Sequence, residues 1–393
     1  MGLDLNQLIP HIRQMSKAVL DRSRSIDARI PELLAALQGG IPDPDILQAK
    51  IARAGKNWGG ALPSNEPVQE FIPPPAIPES YTTLGSDGSQ IYPDRHSVAL
   101  YYLINTGSIR IHYGSGTVPE VYSRPRIFYH EENLYPDNGR QIDSALINGE
   151  RDVAEMEELA RLAELDGDTP TLALLDNGLL LWIAAQSPNS SRHLVDQIVQ
   201  QYQQQMLRLK KSGAGLAGVI DRPRSPNLVR LLQLLQLPVE AVSAEAMSSP
   251  ELQRLSDRLL LQNALPSGHR TARFIQSSPL NEDFAKAGLP VEFFYLNSGF
   301  EKQILRVEVP GWVAGSPELL DLVHGGILQQ CQSTGGFPYV LARAHELAVV
   351  TQSEKQALED SLVRELLKHG FQGKISRKQK TKQWLAGKKS HSI

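Results

Sequence analysis

The spacing of apolar and polar positions divides the chain into segments of different period. Leu5, Leu8, Ile9, Ile12, Met15, Val19 and Leu20 recur every three to four residues and predict a helix. A second helical stretch covers Ile30 to Leu37 and ends at Gly39-Gly40. The pattern then breaks over residues 54–80, where each proline of FIPPPAIPES removes a donor and fixes φ, so this stretch is an extended connector. From Tyr81 strand signals begin. YTTLGSDGSQI opens as a strand and carries a polar turn centred on its aspartate, while SVALYYLINTG and SIRIHYGSG have the pattern of a hairpin turning at Asn105-Thr106-Gly107. A long helix follows over about 143–165. TLALLDNGLLLWIAA is apolar except at Asp176-Asn177-Gly178, which suits a central strand buried on both faces.

Beyond it the pattern predicts a Gln-rich helix over 192–211, the strand GLAGVID, and a helix from Pro226 to about Leu237. EFFYLNS and KQILRVEVP form a strand pair, and helices follow over 317–332, 338–350 and 353–369. Strands alternating with helices argue for an α/β fold with a mixed sheet. The expected organisation is an N-terminal helical segment (1–53), the connector (54–80), a main domain (81–370) and a basic tail (371–393).

Composition changes this picture in three ways. The 393 residues hold 40 Lys and Arg against 43 Asp and Glu, a net charge of −3, which excludes a chain that is polybasic throughout but not a local basic groove. A single cysteine, Cys331, excludes a disulfide framework, a Cys-based zinc site and an iron–sulfur cluster. No apolar run nears the roughly 18 to 20 residues of a membrane helix, and MGLDLNQLIPHIRQM lacks the apolar core of a secretory signal, so the cytoplasm is the expected compartment.

The candidate chemistry is carboxylate and imidazole. Asp87 in GSDGS either marks a turn or sits on a strand that small neighbours leave open to a ligand. Asp176 ends the most apolar strand, where a charge costs several kcal/mol unless it is paired or bound to a metal; the other reading is a turn or helix N-cap. Glu155 and Glu158 share one face of the helix between them, as ligands or as a solvated acidic face. His345, in the helix after Phe337-Pro338-Tyr339, suits a ligand or a proton carrier, or is a partly exposed helical histidine with no such role. Asp, Glu, Asp and His drawn from separate elements match a two-metal nuclease set, in which several carboxylates offset two dications. Arg222 and Arg224 precede a helix whose N-terminal amides can hold a phosphate, or are surface arginines at an ordinary helix start; Arg270 and Arg273, beside Phe274, are further phosphate candidates. The tail carries Lys374, Arg377, Lys378, Lys380, Lys382, Lys388 and Lys389 and no acid, as a DNA clamp or a solvated tail.

The order of GSDGSQI, ERDVAEMEEL, LALLDNGLLLW, GVIDRPRS, SDRLLLQNALPSGHRTARF, ILRVEVPGWV and GFPYVLARAHELAVV resembles the NurA family of DNA repair nucleases. RVEVP and the stretch from Pro338 to AHELA are its most specific pieces. The resemblance implies an RNase H-like core, a mixed sheet flanked by helices. It implies manganese-dependent DNA cleavage with two ions and Mg²⁺ as second candidate, through 5′ to 3′ exonuclease and single-strand endonuclease action on single- and double-stranded ends. It further implies a homodimer that works with a hexameric HerA-type ATPase in double-strand break resection. By motif, Asp87, Glu155, Asp176 and His345 take the catalytic and metal-binding positions, with Glu158 competing for that of Glu155 and Asp257 at another acidic position. The family often carries Tyr where Phe337 stands, and the second acidic motif is Asp-Asn-Gly rather than Asp-Gly. These departures motivate the alternative of a catalytically impaired DNA-binding or ATPase-adaptor protein; an RNase H-fold enzyme acting on RNA is a third reading.

Overall fold

The computed structural model describes residues 5–370 apart from 42, 56–57, 138, 168, 184–191 and 249–254. The basic tail expected over 371–393 therefore lies outside the described residues. Contacts divide the chain into two units, one built from residues 1–78, 176–180 and 215–339, the other from 79–175, 181–214 and 340–393.

The first unit opens with helix α1 (Leu5–Gln38) and helix α2 (Pro44–Ala54), followed by the short strands β1 (Ala61–Pro63) and β2 (Phe71–Ile72). The two helical stretches expected near residues 5–37 are one helix, with Pro10 and Pro31 inside it. Only its C-terminal part is anchored: Ile30, Leu33 and Leu37 are buried with Trp58 and Phe274, while Leu5, Ile9, Ile12, Met15, Val19 and Leu20 stay exposed.

The second unit contains β3 (Tyr81–Ile91), β4 (Tyr102–Tyr113), β5 (Glu120–Phe128), helix α3 (Ser144–Ala163), β6 (Thr171–Leu175) and helix α4 (Arg192–Ser212). Its strand order is β6-β3-β4-β5. β3, β4 and β5 are antiparallel neighbours, and β6 lies parallel to β3 after a crossover through α3. A meander of three strands with a fourth parallel to the first is the RNase H-like arrangement that the resemblance implies. Asp143 starts α3 where the sequence predicts, its side chain accepting from the Leu146 amide.

β7 (Gly215–Asp221), helix α5 (Asn227–Gln236), β8 (Arg270–Thr271), β9 (Phe274–Gln276), β10 (Val291–Asn297), β11 (Ile304–Pro310) and helix α6 (Pro317–Gln332) complete the first unit. Its strands run in the order β1-β9-β10-β11-β7, all antiparallel. Helix α7 (Tyr339–Ala348) and helix α8 (Gln352–Lys368) return to the second unit, α8 starting in a Thr351–Glu354 capping box.

Two expected turns are absent. β3 runs straight through Gly85, Asp87 and Gly88, and β4 runs straight through Asn105-Thr106-Gly107, with Asp87 paired to Gly107 and Gly88 to Thr106. The small residues serve close approach instead. A Cβ on Gly107 would lie 2.3 Å from the Ala348 nitrogen, and one on Gly85 would lie 2.6 Å from the Val340 carbonyl. Helix α7 crosses the strands there, so these glycines leave room for a helix rather than bend a chain.

Candidate active site

Strand alternation sorts the neighbours of Asp87 onto two faces. Gly85, Asp87, Ser89, Asn105 and Gly107 face α7; Ser86, Gly88, Thr106 and Ser108 face α3. Ser89 Oγ and Asn105 Nδ2 both donate to the Ala348 carbonyl and pin the end of α7 to the sheet. This docking brings His345 Nδ1 to 2.7 Å from Asp87 Oδ2, while the Gly88 amide donates to Asp87 Oδ1 at 2.8 Å. The His345 side chain is 62% exposed, so the pair opens to solvent.

On the α3 face, Glu155 is buried and reaches the backbone of residue 88: a Cβ there would lie 2.7 Å from Glu155 Oε1. Glu158 points elsewhere. Arg161 donates to both its oxygens, Ser108 Oγ donates at 2.8 Å, and Arg124 lies 3.4 Å away. Burial acts to raise the Glu158 carboxyl, but the hydrogen bonds from Arg161 and Ser108 outweigh it and hold the group below its ordinary range. Of the two helical glutamates, Glu155 is the one beside Asp87.

Two residues of this centre escaped the sequence reading. Arg151 places Nε 3.1 Å from Glu155 Oε1 and donates from Nη2 to Asp152 Oδ1 at 2.7 Å. Burial acts to lower the Arg151 guanidinium, but the charges of Glu155, Asp152 and Asp87 raise it overall. Burial pushes the Asp152 carboxyl up, Arg151 opposes this, and the charge of Asp87 adds to the rise. The available signal was the i,i+4 spacing of Arg151 and Glu155 in ERDVAE.

Asp176 follows β6 as an exposed residue and begins the 176–180 segment of the first unit. The turn after it is clamped. The Leu179 amide donates to Glu308 Oε2 at 2.8 Å, and a Cβ on Gly178 would lie 2.8 Å from that same oxygen. A Cβ on Gly218 would lie 2.4 Å from the Asn177 carbonyl. Glu308 is held by Arg306, which also donates to Asn227 and Gln276 and stacks 3.6 Å over the Phe293 ring. RVEVP therefore holds the turn that starts at Asp176.

The expected phosphate contacts divide. Arg222 and Arg224 are exposed, and Arg222 adopts a φ of 48° in the left-handed region. Arg270 and Arg273 are buried. Arg270 forks onto Glu66, and Arg273 lies against Glu66 and Glu292, so neither presents a guanidinium at the surface. Two amides at the start of α5 are taken from within the chain. Asp257, fully buried, accepts from the Leu228 and Val229 amides, each at 2.8 Å, and from the Tyr295 hydroxyl. A carboxylate of the chain itself takes the anion position at this helix start.

Phe337 is half-buried and Tyr339 is exposed. Among the described residues no three His, Cys, Asp or Glu side chains stand grouped at ligand spacing. The donor chemistry nevertheless fits a hard divalent cation. It is oxygen and imidazole without thiolate, and three carboxylates act on one cationic centre at Arg151.

A family model for the NurA domain matches residues 81–350. The chain belongs to the NurA family. The NurA match opens at the first residue of β3 and closes two residues past α7, so it takes in Asp87, Glu155, Asp176 and His345 and leaves α1 and α2 outside. Membership of this family makes the protein a nuclease. Among solved structures, the NurA nuclease from Sulfolobus solfataricus is similar at 13% identity and a TM-score of 0.49, over 83% of this chain and 93% of that one. A NurA bound to dAMP and manganese is similar at 11% identity and 0.42, over 92% and 98%. The catalytic domain of human Endonuclease V is similar at 14% identity and 0.32, over 82% and 99%. No curated protein is matched by the sequence. Among the described residues no helix is long and apolar enough to cross a membrane.

Proposed function

We propose that this NurA nuclease hydrolyses DNA phosphodiesters with Mn²⁺, or Mg²⁺ in its place, at two bound ions. The observation that carries this reading is Asp87, set on an unbroken strand between small residues, with His345 at 2.7 Å and Glu155 beside the next residue. Asp87 and Glu155 would hold the cation, with Asp176 as the further carboxylate that the resemblance assigns; His345, also assigned there as a ligand, keeps Nδ1 on Asp87 and works through Nε2. When bound, the metal neutralises phosphate charge and lowers the pKa of a water. The chain's own groups do the rest. Asp87 orients the His345 ring, whose Nε2 holds or moves the proton. Arg151 keeps the Glu155 carboxylate in place, and Glu308 fixes the turn that begins at Asp176. The resemblance extends the proposal to 5′ to 3′ exonuclease and single-strand endonuclease action, end resection with a HerA-type hexameric ATPase, a homodimer and a cytoplasmic site of action.

Phe337 favours one competing reading, an ATPase adaptor that binds DNA without cutting it. Incubating linear DNA with the purified protein and Mn²⁺ separates the two. Cleavage that Asp87→Ala removes, with Mn²⁺ binding weakened in calorimetry, is the expected result. Intact DNA at every end structure tested gives the adaptor reading the field. Matched RNA strands test the third reading in the same assay.

A further inference from the structure

A cavity of about 400 Å³ lies on the α3 face of the second unit. Four arginines line it, Arg124 and Arg126 from β5, Arg161 from α3 and Arg208 from α4, against Glu157 and Glu158. Thr106 also lines it. Thr106 is 2% exposed, and its hydroxyl has no hydrogen-bond partner. Strand register ties the cavity to the candidate active site: Gly88 pairs with Thr106, and Thr106 pairs with Arg124. One cross-strand row thus leads from the Gly88 backbone, where the Glu155 carboxylate sits, to the cavity.

We infer that this cavity binds a phosphodiester phosphate of a nucleic-acid strand. The inference rests on the nuclease reading above. Arg124, Arg126 and Arg208 have side chains 49%, 47% and 38% exposed, each lying against a glutamate. The Arg126–Glu157 and Arg208–Glu164 pairs, exposed on both sides, hold only about 0–1 kcal/mol, so a phosphate can exchange for either carboxylate without a large cost. A guanidinium also matches phosphate in a bidentate geometry. The more buried Arg161, locked on Glu158 and stacked 5.1 Å from the Tyr122 ring, forms the fixed wall. The Thr106 hydroxyl supplies a donor that nothing in the fold uses.

The test is fluorescence anisotropy of a single-stranded DNA oligonucleotide in EDTA across a KCl series. Arg126→Ala and Arg208→Ala are each expected to weaken binding about fivefold and to reduce the slope of log K against log [salt] by about 0.7. Arg126→Lys should restore most of the slope, because a lysine still meets phosphate as a point charge. Glu157→Gln should tighten binding by removing the competing carboxylate. A structural role for Arg126 would instead lower the melting temperature and leave the salt slope alone. Unchanged affinity and slope in both alanine variants overturns the inference, as does wild type that fails to bind the strand. A matched RNA strand run alongside shows which nucleic acid is preferred. Mn²⁺-dependent cleavage by wild type is scored separately: cleavage with unchanged slopes sinks only the cavity, and altered slopes without cleavage sink only the nuclease reading.

Discussion

Two charge centres in the molecule use the same residue types to opposite ends. Both place an aspartate after a serine, Ser256-Asp257 in the first unit and Ser86-Asp87 in the second, and both set an arginine among carboxylates. Asp257 is fully buried and takes two amides and a phenol, while Arg306 spends its donors on Glu308, Asn227 and Gln276. Nothing there is left for a ligand. Asp87 takes one amide and an imidazole that is mostly exposed, and Arg151 answers three carboxylates at once. The difference is saturation. A buried carboxylate whose lone pairs are met from within is structure, and one whose partner opens to solvent is available for chemistry.

Exchanging the lesions gives the largest effects. Asp257→Ala strands two amides, the Tyr295 hydroxyl and part of the Arg306 field, so a loss of about 3–5 kcal/mol is expected in chemical denaturation. Below its new transition, the variant should keep its cleavage rate. Asp87→Ala should do the reverse, losing more than about 100-fold in cleavage, since even outer-shell partners of metals cost 10–100-fold, with stability within about 1 kcal/mol of wild type. If Asp87→Ala unfolds the protein and Asp257→Ala spares it, the contrast between the centres is wrong.

The sequence makes one side of this contrast legible and hides the other. Helical periodicity and caps mark α3, α6 and α8 to within one or two residues, because their signals are local. Asp87, Glu155 and His345 are legible as residue types, and the docking of α7 explains why two of them meet. The glycines mislead: Gly107 has the composition of a turn, and only the helix packed on it shows that it keeps a strand clear. Arg270 and Arg273 mislead for the same reason. Their burial depends on Glu66, some two hundred residues away in the chain, which no local pattern encodes. Asp257 likewise requires knowing that α5 starts beside it.

Glu308 sharpens the comparison because it belongs to the saturated network yet holds the turn after Asp176. Glu308→Gln keeps an oxygen for the Leu179 amide and loses the charge facing Arg306. A stability loss of about 1–3 kcal/mol is expected, with cleavage within about threefold of wild type. A cleavage loss well beyond threefold at unchanged stability would show that the carboxylate charge itself acts at the site, and the division between the centres would fail at this residue.

The smallest expected effect is a pH dependence confined to the saturated centre. Burial pushes the Asp257 carboxyl up to about 6, against the hydrogen bonds from Tyr295 and the Val229 and Leu228 amides and the charge of Arg306. In the unfolded chain the group returns to its ordinary value of 3.8. Between those values the folded state binds more protons, so its contribution to stability is full below about 4 and is lost as pH rises through about 6. Asp257→Asn removes the titration while keeping the shape. Wild type should therefore gain about 1 kcal/mol relative to Asp257→Asn on going from pH 7 to pH 5, measured by chemical denaturation at both values. A difference that stays flat, or that grows toward pH 7, would mean that the amides and Arg306 outweigh burial. The centre would then hold a charged carboxylate at every working pH, and saturation alone, without desolvation, would separate it from Asp87.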